Sequence, residues 1–344
     1  MKNQLKSRSL GRVVAWCLGA VVLLVGLSAS AEPAALTDGV TATCAPTAKE
    51  TPRGPQPIPK DRLVLNDLSI FRYNPIGLET QIRFGWQHRL YEAEDSAAKR
   101  DNFVFAGTYT RLNPASLRVA GMLEFQPVSL LNLRFTAEYI HYYGNFSFMQ
   151  SRPSAYDNLG DADMKANKTG PLGNYAASGF HATFEPLLQF KVGPIAVRSR
   201  AFLGWFDMNL QRGDRVWYES TLDTAIPGKG MVFANDLDVL YGMAIGKARL
   251  NIGARYSVVA PMYTADQILP TQTLDGLDNN HHRVGLLAAY TLYDDGYTAF
   301  NKPTVLLISS WYLTHRYRAG QEVSRGLPYI VLGFAFQSDL LDVK

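Results

Sequence analysis

SLRVAGMLEFQPVSLLNLRFTAEYIHYY, residues 116–143, is the stretch that decides the fold. Its odd positions carry Leu117, Val119, Gly121, Leu123 and Phe125, then Leu131, Leu133, Phe135, Ala137 and Tyr139. Its even positions carry Ser116, Arg118, Ala120, Met122, Glu124 and Gln126, then Asn132, Arg134, Thr136, Glu138 and Ile140. Successive side chains of a strand point to opposite faces. A period of two therefore describes two strands, each with one apolar face and one largely polar, charged face. The break between them, 127–130, is short enough for a hairpin.

The pattern recurs along the chain. Leu78–Leu90 sets Leu78, Thr80, Ile82, Phe84 and Trp86 against Glu79, Gln81, Arg83, Gly85 and Gln87. Phe180–Lys191 and Ile195–Phe206 alternate in the same way, the second with Arg198 and Arg200 on its polar face. Leu63–Tyr73, Phe103–Leu112, Met231–Tyr241, Arg249–Val259, Arg283–Leu292, Thr304–Arg316 and Tyr329–Gln337 bring the set to twelve segments, most of about ten residues, the length at which a tilted strand crosses a bilayer. The connectors 144–177, 210–229, 260–279 and 319–327 are long and polar, while 127–130, 192–195, 242–248 and 293–303 are shorter. Aromatic residues gather at strand ends, as Tyr139, Tyr142 and Tyr143, Trp205 and Phe206, and Trp311 and Tyr312, which suits the girdles of a membrane interface. A soluble β-sandwich also alternates its faces, but it explains neither the girdles nor the loop rhythm.

The chain thus resembles bacterial outer-membrane β-barrel proteins of the porin-like kind over residues 62–344. The fold expected is all-β: a membrane-spanning, antiparallel, up-and-down barrel of twelve strands, or ten if 63–73 and 78–90 drop out. The last strand carries Phe334 and Phe336, and eight residues come after Phe336, where such proteins commonly end in an aromatic residue.

The N-terminal part fits export. Lys2, Lys6, Arg8 and Arg12 precede the apolar run Val13–Leu27, and Ser28-Ala29-Ser30-Ala31 supplies small residues for cleavage after Ala31, so residues 1–31 read as a signal peptide. Residues 32–61, rich in Pro, Ala and Thr, read as a periplasmic linker. Without the leader the 30 acidic residues meet an equal number of basic ones, which removes the charge argument for nucleic acid. Cys17 leaves with the leader and Cys44 stays alone, so no internal disulfide is expected.

If the apolar face meets lipid, the polar face lines the interior. The candidate wall residues are Arg83, Arg118, Glu124, Arg134, Glu138, Glu185, Arg198, Arg200, Asp236, Asp238, Arg249 and Arg255, with Arg283 and Arg316 adding to the basic side. The opening hairpin allows two registers, Glu124 opposite Arg134 or Arg118 opposite Glu138. Further on, Glu185 and Lys191 should approach Arg198 and Arg200, and Asp236 and Asp238 should face Arg249, with Arg255 beyond. Twelve strands fall between barrels filled by side chains and barrels with an aqueous channel. The function expected is passive or facilitated passage of small polar solutes, anions among them. The alternative is a non-conducting barrel whose external loops, 144–177 above all, bind a partner or surface ligand.

A lipid-modifying enzyme ranks third, and no enzyme is expected. No His-x-Ser pair occurs on a strand; the nearest is His181-Ala182-Thr183. Ser309 and His315 share an expected outer face but stand about 20 Å apart along a strand. His141 and His315 suit a girdle, and the adjacent His281 and His282 should point to opposite faces. No metal or cofactor motif is present, and Asn145-Phe146-Ser147 has the spacing of a glycosylation sequon. The partners expected are outer-membrane lipid, the machinery that inserts barrels, and small polar solutes.

Overall fold

Alternation and turn chemistry fold the chain into β1 (Asp61–Tyr73), β2 (Gly77–His88), β3 (Phe103–Asn113), β4 (Ser116–Val128), β5 (Leu131–Tyr142), β6 (Ser151–Arg152), β7 (Ala177–Val192), β8 (Ile195–Met208), β9 (Val216–Glu219), β10 (Thr224–Pro227), β11 (Lys229–Ile245), β12 (Ala248–Met262), β13 (His281–Thr291), β14 (Asn301–Thr314) and β15 (Tyr329–Asp339). The computed structural model describes residues 59–93 and 96–341; the leader, and the linker as far as residue 58, lie outside the described residues. Twelve strands form one closed antiparallel barrel, and β6, β9 and β10 form a separate three-stranded sheet in the order β10-β9-β6. The barrel closes where β1 pairs with β15, Val64 opposite Asp339 and Tyr73 opposite Ile330. Closure leaves no strand edge unpaired, the condition for strands to cross hydrocarbon.

The opening hairpin takes the register with Glu124 opposite Arg134, and its pairing shifts between Phe125 and Val128. Pro127 lies in that irregularity, where the missing N–H costs no ladder bond. One end of the barrel carries the two-residue turns 129–130, 193–194 and 246–247, the links 89–102 and 292–300, and both strand termini. The other end carries 143–176, 209–228, 263–280 and 315–328, with short turns at 74–76 and 114–115. The long-short rhythm therefore holds from β4 onward. The link 89–102 departs from it: its one-turn helix, Ala97–Arg100, folds against the base, with Ser129 N–H bonded to Ala98 O and Gln126 Nε2 to Asp101 O.

The outer wall is apolar. Leu123 (58% exposed), Phe135 (48%) and Leu286 (58%) all point outward, together with Leu78, Phe84, Val239, Val305 and Phe334. A wall of large exposed apolar side chains around a closed barrel is the surface a bilayer requires, and it rules out the sandwich. The aromatic clusters divide: Tyr139, Tyr143, Trp205 and Trp311 face outward, whereas Tyr142, Phe206 and Tyr312 are buried inside. Neighbouring residues on a strand cannot both join a girdle.

Inside, two halves differ. Leu240, Leu287, Ala289, Leu306, Ile308 and Val331 pack as an aliphatic cluster on β11 and β13–β15. Ionic side chains occupy the interior of β2–β5, β8, β11 and β12. An acidic residue interrupts the outer wall midway along β1: Asp67 stands opposite Ile82 and Phe336, with Ser69 Oγ 3.4 Å away and bonded in turn to Thr80. A carboxylate facing lipid costs free energy. Asp67→Leu should therefore stabilise the bilayer-embedded barrel by about 1–2 kcal/mol, read by urea titration in lipid vesicles; a destabilised variant would mean that Asp67 does not face hydrocarbon.

Candidate functional site

The interior site is built from strand positions that alternate inward. Arg83 Nη2 lies 2.7 Å from Glu124 Oε2, and Arg134 Nε lies 2.6 Å from Glu124 Oε1. Arg134 also reaches Glu185 at 3.8 Å. Glu138 gathers Arg111 at 2.7 Å, His181 Nδ1 at 3.1 Å and Arg118 at 3.8 Å. Across the barrel, Asp238 holds Arg198 at 2.7 Å and Arg255 at 2.6 Å, and Arg255 reaches Asp236 at 3.3 Å. Each carboxylate thus meets at least one guanidinium, which is how charge is tolerated in an interior.

One expected pairing is corrected. Arg249 stands opposite Ala244 and Thr291 near the short-loop end, and Arg255 is the residue that meets the aspartates. The cause is the turn: β11 and β12 run on to a two-residue connection at 246–247, which shifts the register from that of a longer loop. Arg198 and Arg200 lie opposite Gln189 and Leu187, between Glu185 and Lys191 on β7, and Glu185 also reaches Arg134 at 3.8 Å. Two further placements differ because β14 ends at Thr314, so its alternation does not extend to residues 315 and 316. His315 is buried in the barrel mouth rather than on the outer face. Arg316 clamps the long loops, bonding Ala155 O at 2.7 Å and Asn279 Oδ1 at 2.6 Å, and lies off the wall. His281 and His282 do point to opposite faces, His281 inward and His282 toward Tyr256.

The long-loop mouth is closed by a plug. The β9–β10 hairpin, from loop 209–228, stands in it. Trp217 is fully buried, its ring 5.5 Å from that of Tyr142 and 6.1 Å from that of Phe206. Glu219 accepts a short hydrogen bond from Arg118 on β4. Ser220 O accepts from Arg72 on β1 at 3.0 Å, and Leu222 O from His281 on β13 at 2.7 Å. Asp223 accepts from Arg318 Nε at 2.8 Å and from the hydroxyls of Tyr218 and Tyr312, while its carbonyl accepts from His315 Nε2 at 2.7 Å. Asp223 has φ 56°, a left-handed conformation that aspartate tolerates better than most residues. Burial alone would raise the Asp223 carboxyl, but Arg318 and His315 outweigh it and hold it well below the ordinary carboxylate range. Burial and Arg118 oppose each other at Glu219 in the same way, and its carboxyl is also lowered.

Beneath the plug lies a cavity of about 370 Å³, walled by Arg111, Arg134, Glu138, Arg200 and Asp236 and roofed by Leu222. Arg83, Arg118 and Glu185 also reach it, whereas Glu124, Arg198, Asp238, Arg249 and Arg255 do not. Water reaches part of this wall: the Asp236 side chain is 40% exposed, against 1% for Asp238. Sequence reasoning missed Arg72, Arg111, His181, Glu219, Asp223 and Arg318. Arg111 and His181 were legible from alternation, since each sits on the inward face of its strand. The plug had a weaker signal, the apolar and aromatic residues Val216, Trp217, Tyr218 and Ile226 inside a loop expected to be polar.

No family model matches the chain, and no curated relative does. Among solved structures, the beta domain of the Bordetella autotransporter BrkA is similar at 11% identity and TM-score 0.41, covering 82% of this chain and 99% of that one. OccAB1 of Acinetobacter baumannii is similar at 9% identity and TM-score 0.36, covering 90% of this chain and 74% of that one. OmpT, an outer-membrane protein of Vibrio cholerae, is similar at 7% identity and TM-score 0.32, covering 81% of this chain and 96% of that one. The likeness is to bacterial outer-membrane β-barrels as a class. It reaches no further than the fold, so the site is read from its own geometry.

A lowered carboxyl stabilises the plug at every pH above its unfolded value of 3.8 and ceases to do so only as pH falls through the still lower folded value. Amide-exchange protection of residues 216–227 should therefore be unchanged between about pH 7 and pH 5. Asp223→Asn, which leaves Arg318 short of its buried partner, should weaken that protection by about 3 kcal/mol. Protection that disappears near pH 6 in the unaltered protein would contradict the Asp223–Arg318 latch.

Proposed function

We propose that the protein is a bacterial outer-membrane channel for small polar solutes that rests closed at its external end. The long loops lie outside, and the start of β1 and the end of β15 lie toward the periplasm, the arrangement usual for such barrels. The observation that carries the reading is the nature of the closure. The plug is a loop hairpin latched to the wall through side chains, not a constriction of the wall itself, and it covers a charged cavity that water reaches. A latch of a few polar groups can be released without unfolding the ladder. The guanidinium groups of Arg111, Arg134 and Arg200 at the cavity favour passage of anions and carboxylates.

A second reading has its own support. The long loops are joined to each other: β6 pairs with β9 across two of them, and Arg316 ties a third and a fourth together. Such a cap also suits a barrel whose external surface binds a ligand and conducts nothing. Planar-bilayer recording separates the two. The unaltered protein should show rare, small openings. Glu219→Gln combined with Asp223→Asn should raise the open fraction at least tenfold, the effect of about 1.4 kcal/mol on the closed state. Arg200→Ala in that background should lower the preference for anions. A plug variant that inserts and stays silent at every voltage would overturn the channel reading in favour of the surface-binding one.

A further inference from the structure

No serine and histidine can meet within one strand of this chain, and the expectation of a non-enzyme rested on that. Across the β5–β7 ladder they do meet. His141 and Ser178 are register partners on the outer face, one residue in from the long-loop end of their strands. His141 Nδ1 lies 2.8 Å from Ser178 Oγ. The phenol of Tyr139, on the same face of β5, donates to the same Oγ at 2.9 Å. With Tyr139 as donor, the Ser178 hydroxyl proton is directed to His141 Nδ1, which is the arrangement of a nucleophile activated by a base. Tyr139 is 53% exposed, and Ser178 and His141 are both partly exposed, so all three can be reached from outside the barrel. Tyr143 and Phe180 flank them at the level of the aromatic girdle. That level is where the ester carbonyls of membrane lipids lie, between headgroup and hydrocarbon. The barrel fold has no need of this polar triplet, because the neighbouring outward positions Ala137, Phe180 and Ala182 are apolar.

We propose that Ser178, His141 and Tyr139 form an acyl-ester hydrolase site on the outer wall, with glycerophospholipid as substrate. Ser178 Oγ attacks the ester carbonyl carbon and passes its proton to His141 Nδ1. The carbonyl π electrons move onto oxygen, and Tyr139 turns its O–H from Oγ to the adjacent oxyanion. Collapse breaks the bond to the glycerol oxygen, which leaves with the proton from His141 and gives lysophospholipid and an acyl-serine. His141 then takes a proton from water, the hydroxide attacks the acyl carbon, and fatty acid departs as Ser178 recovers its proton. Nothing is oxidised or reduced, and water is the only co-reactant.

The test uses the full chain folded into detergent micelles, with native strand content checked by circular dichroism in every variant. Two probes are applied: a fluorescent fluorophosphonate, and phosphatidylethanolamine vesicles assayed for fatty-acid release. The unaltered protein should be labelled on the peptide that contains Ser178 and should release fatty acid. Ser178→Ala should lose both signals. His141→Ala should slow both by about 100-fold or more, and Tyr139→Phe should retain labelling while release falls about 100-fold. A folded, unaltered protein that takes no label and releases no fatty acid overturns the site. So does a label on another residue, or release that survives Ser178→Ala. The site lies on the outer wall and the plug within, so its failure leaves the channel reading untouched.

Discussion

A backbone N–H or C=O that faces hydrocarbon has no water to bond, and the pairing of β1 with β15 is what meets that constraint here. The rest of the structure depends on this closure. Once the ladder is continuous, each strand has one face for lipid and one for the interior, and alternation fixes which residues go where. Charge on the inward face must then find counter-charge within the barrel. It does so between nearest strands, as at Glu124–Arg134, and over one intervening strand, as at Arg83–Glu124. At twelve strands the wall side chains leave part of the interior unfilled, and the β9–β10 hairpin and the cavity beneath it occupy that space.

The interior shows two ways of filling such a space. The β13–β15 side uses Leu287, Leu306, Ile308 and Val331, so this chain can pack its lumen with aliphatic side chains. The β2–β5 side uses arginine and glutamate. A buried ion pair is seldom more stable than an apolar substitute of similar volume, so stability does not account for the second choice. On the channel reading proposed above, contact with water and with charged solute does. Asp236 and Asp238, two residues apart on β11, divide on this line: Asp238 is enclosed between Arg198 and Arg255, while Asp236 opens to the cavity.

The barrel was legible because its signal is local. The hairpin of residues 116–143 already states the two faces, and ten further segments repeat or approximate it. Register was less legible, because it depends on turn length. Arg249 was expected across from the aspartates by assuming a longer connection than 246–247, and the true turn moves Arg255 into that place. The plug was least legible. Glu219 and Asp223 lie 101 and 95 residues from Arg118 and Arg318, and no periodicity links positions so far apart. The apolar character of Val216–Tyr218 was visible, but a loop sequence does not say which cavity it enters. The Ser178–His141 pair failed to register for a related reason: a search along one strand cannot find neighbours that only the ladder brings together.

The exceptions to alternation are therefore more informative than its successes. A chain that obeys a local rule almost everywhere breaks it where something other than folding sets the residue. Apolar residues within loop 209–228 break the rule that loops are polar, and they anchor the plug. Polar residues on the outer wall break the converse rule. Asp67 accepts from Ser69 and sits mid-wall, where a carboxylate gains nothing from the interface. Ser178, His141 and Tyr139 differ from it in two respects: they lie at the rim, where polar groups are tolerated, and they bond to one another in the donor order that activates a hydroxyl. Tolerance at the rim explains why such residues can be there. It does not explain their mutual geometry, which brings a phenol and an imidazole within hydrogen-bond distance of one serine hydroxyl, the arrangement on which the proposed hydrolase site rests.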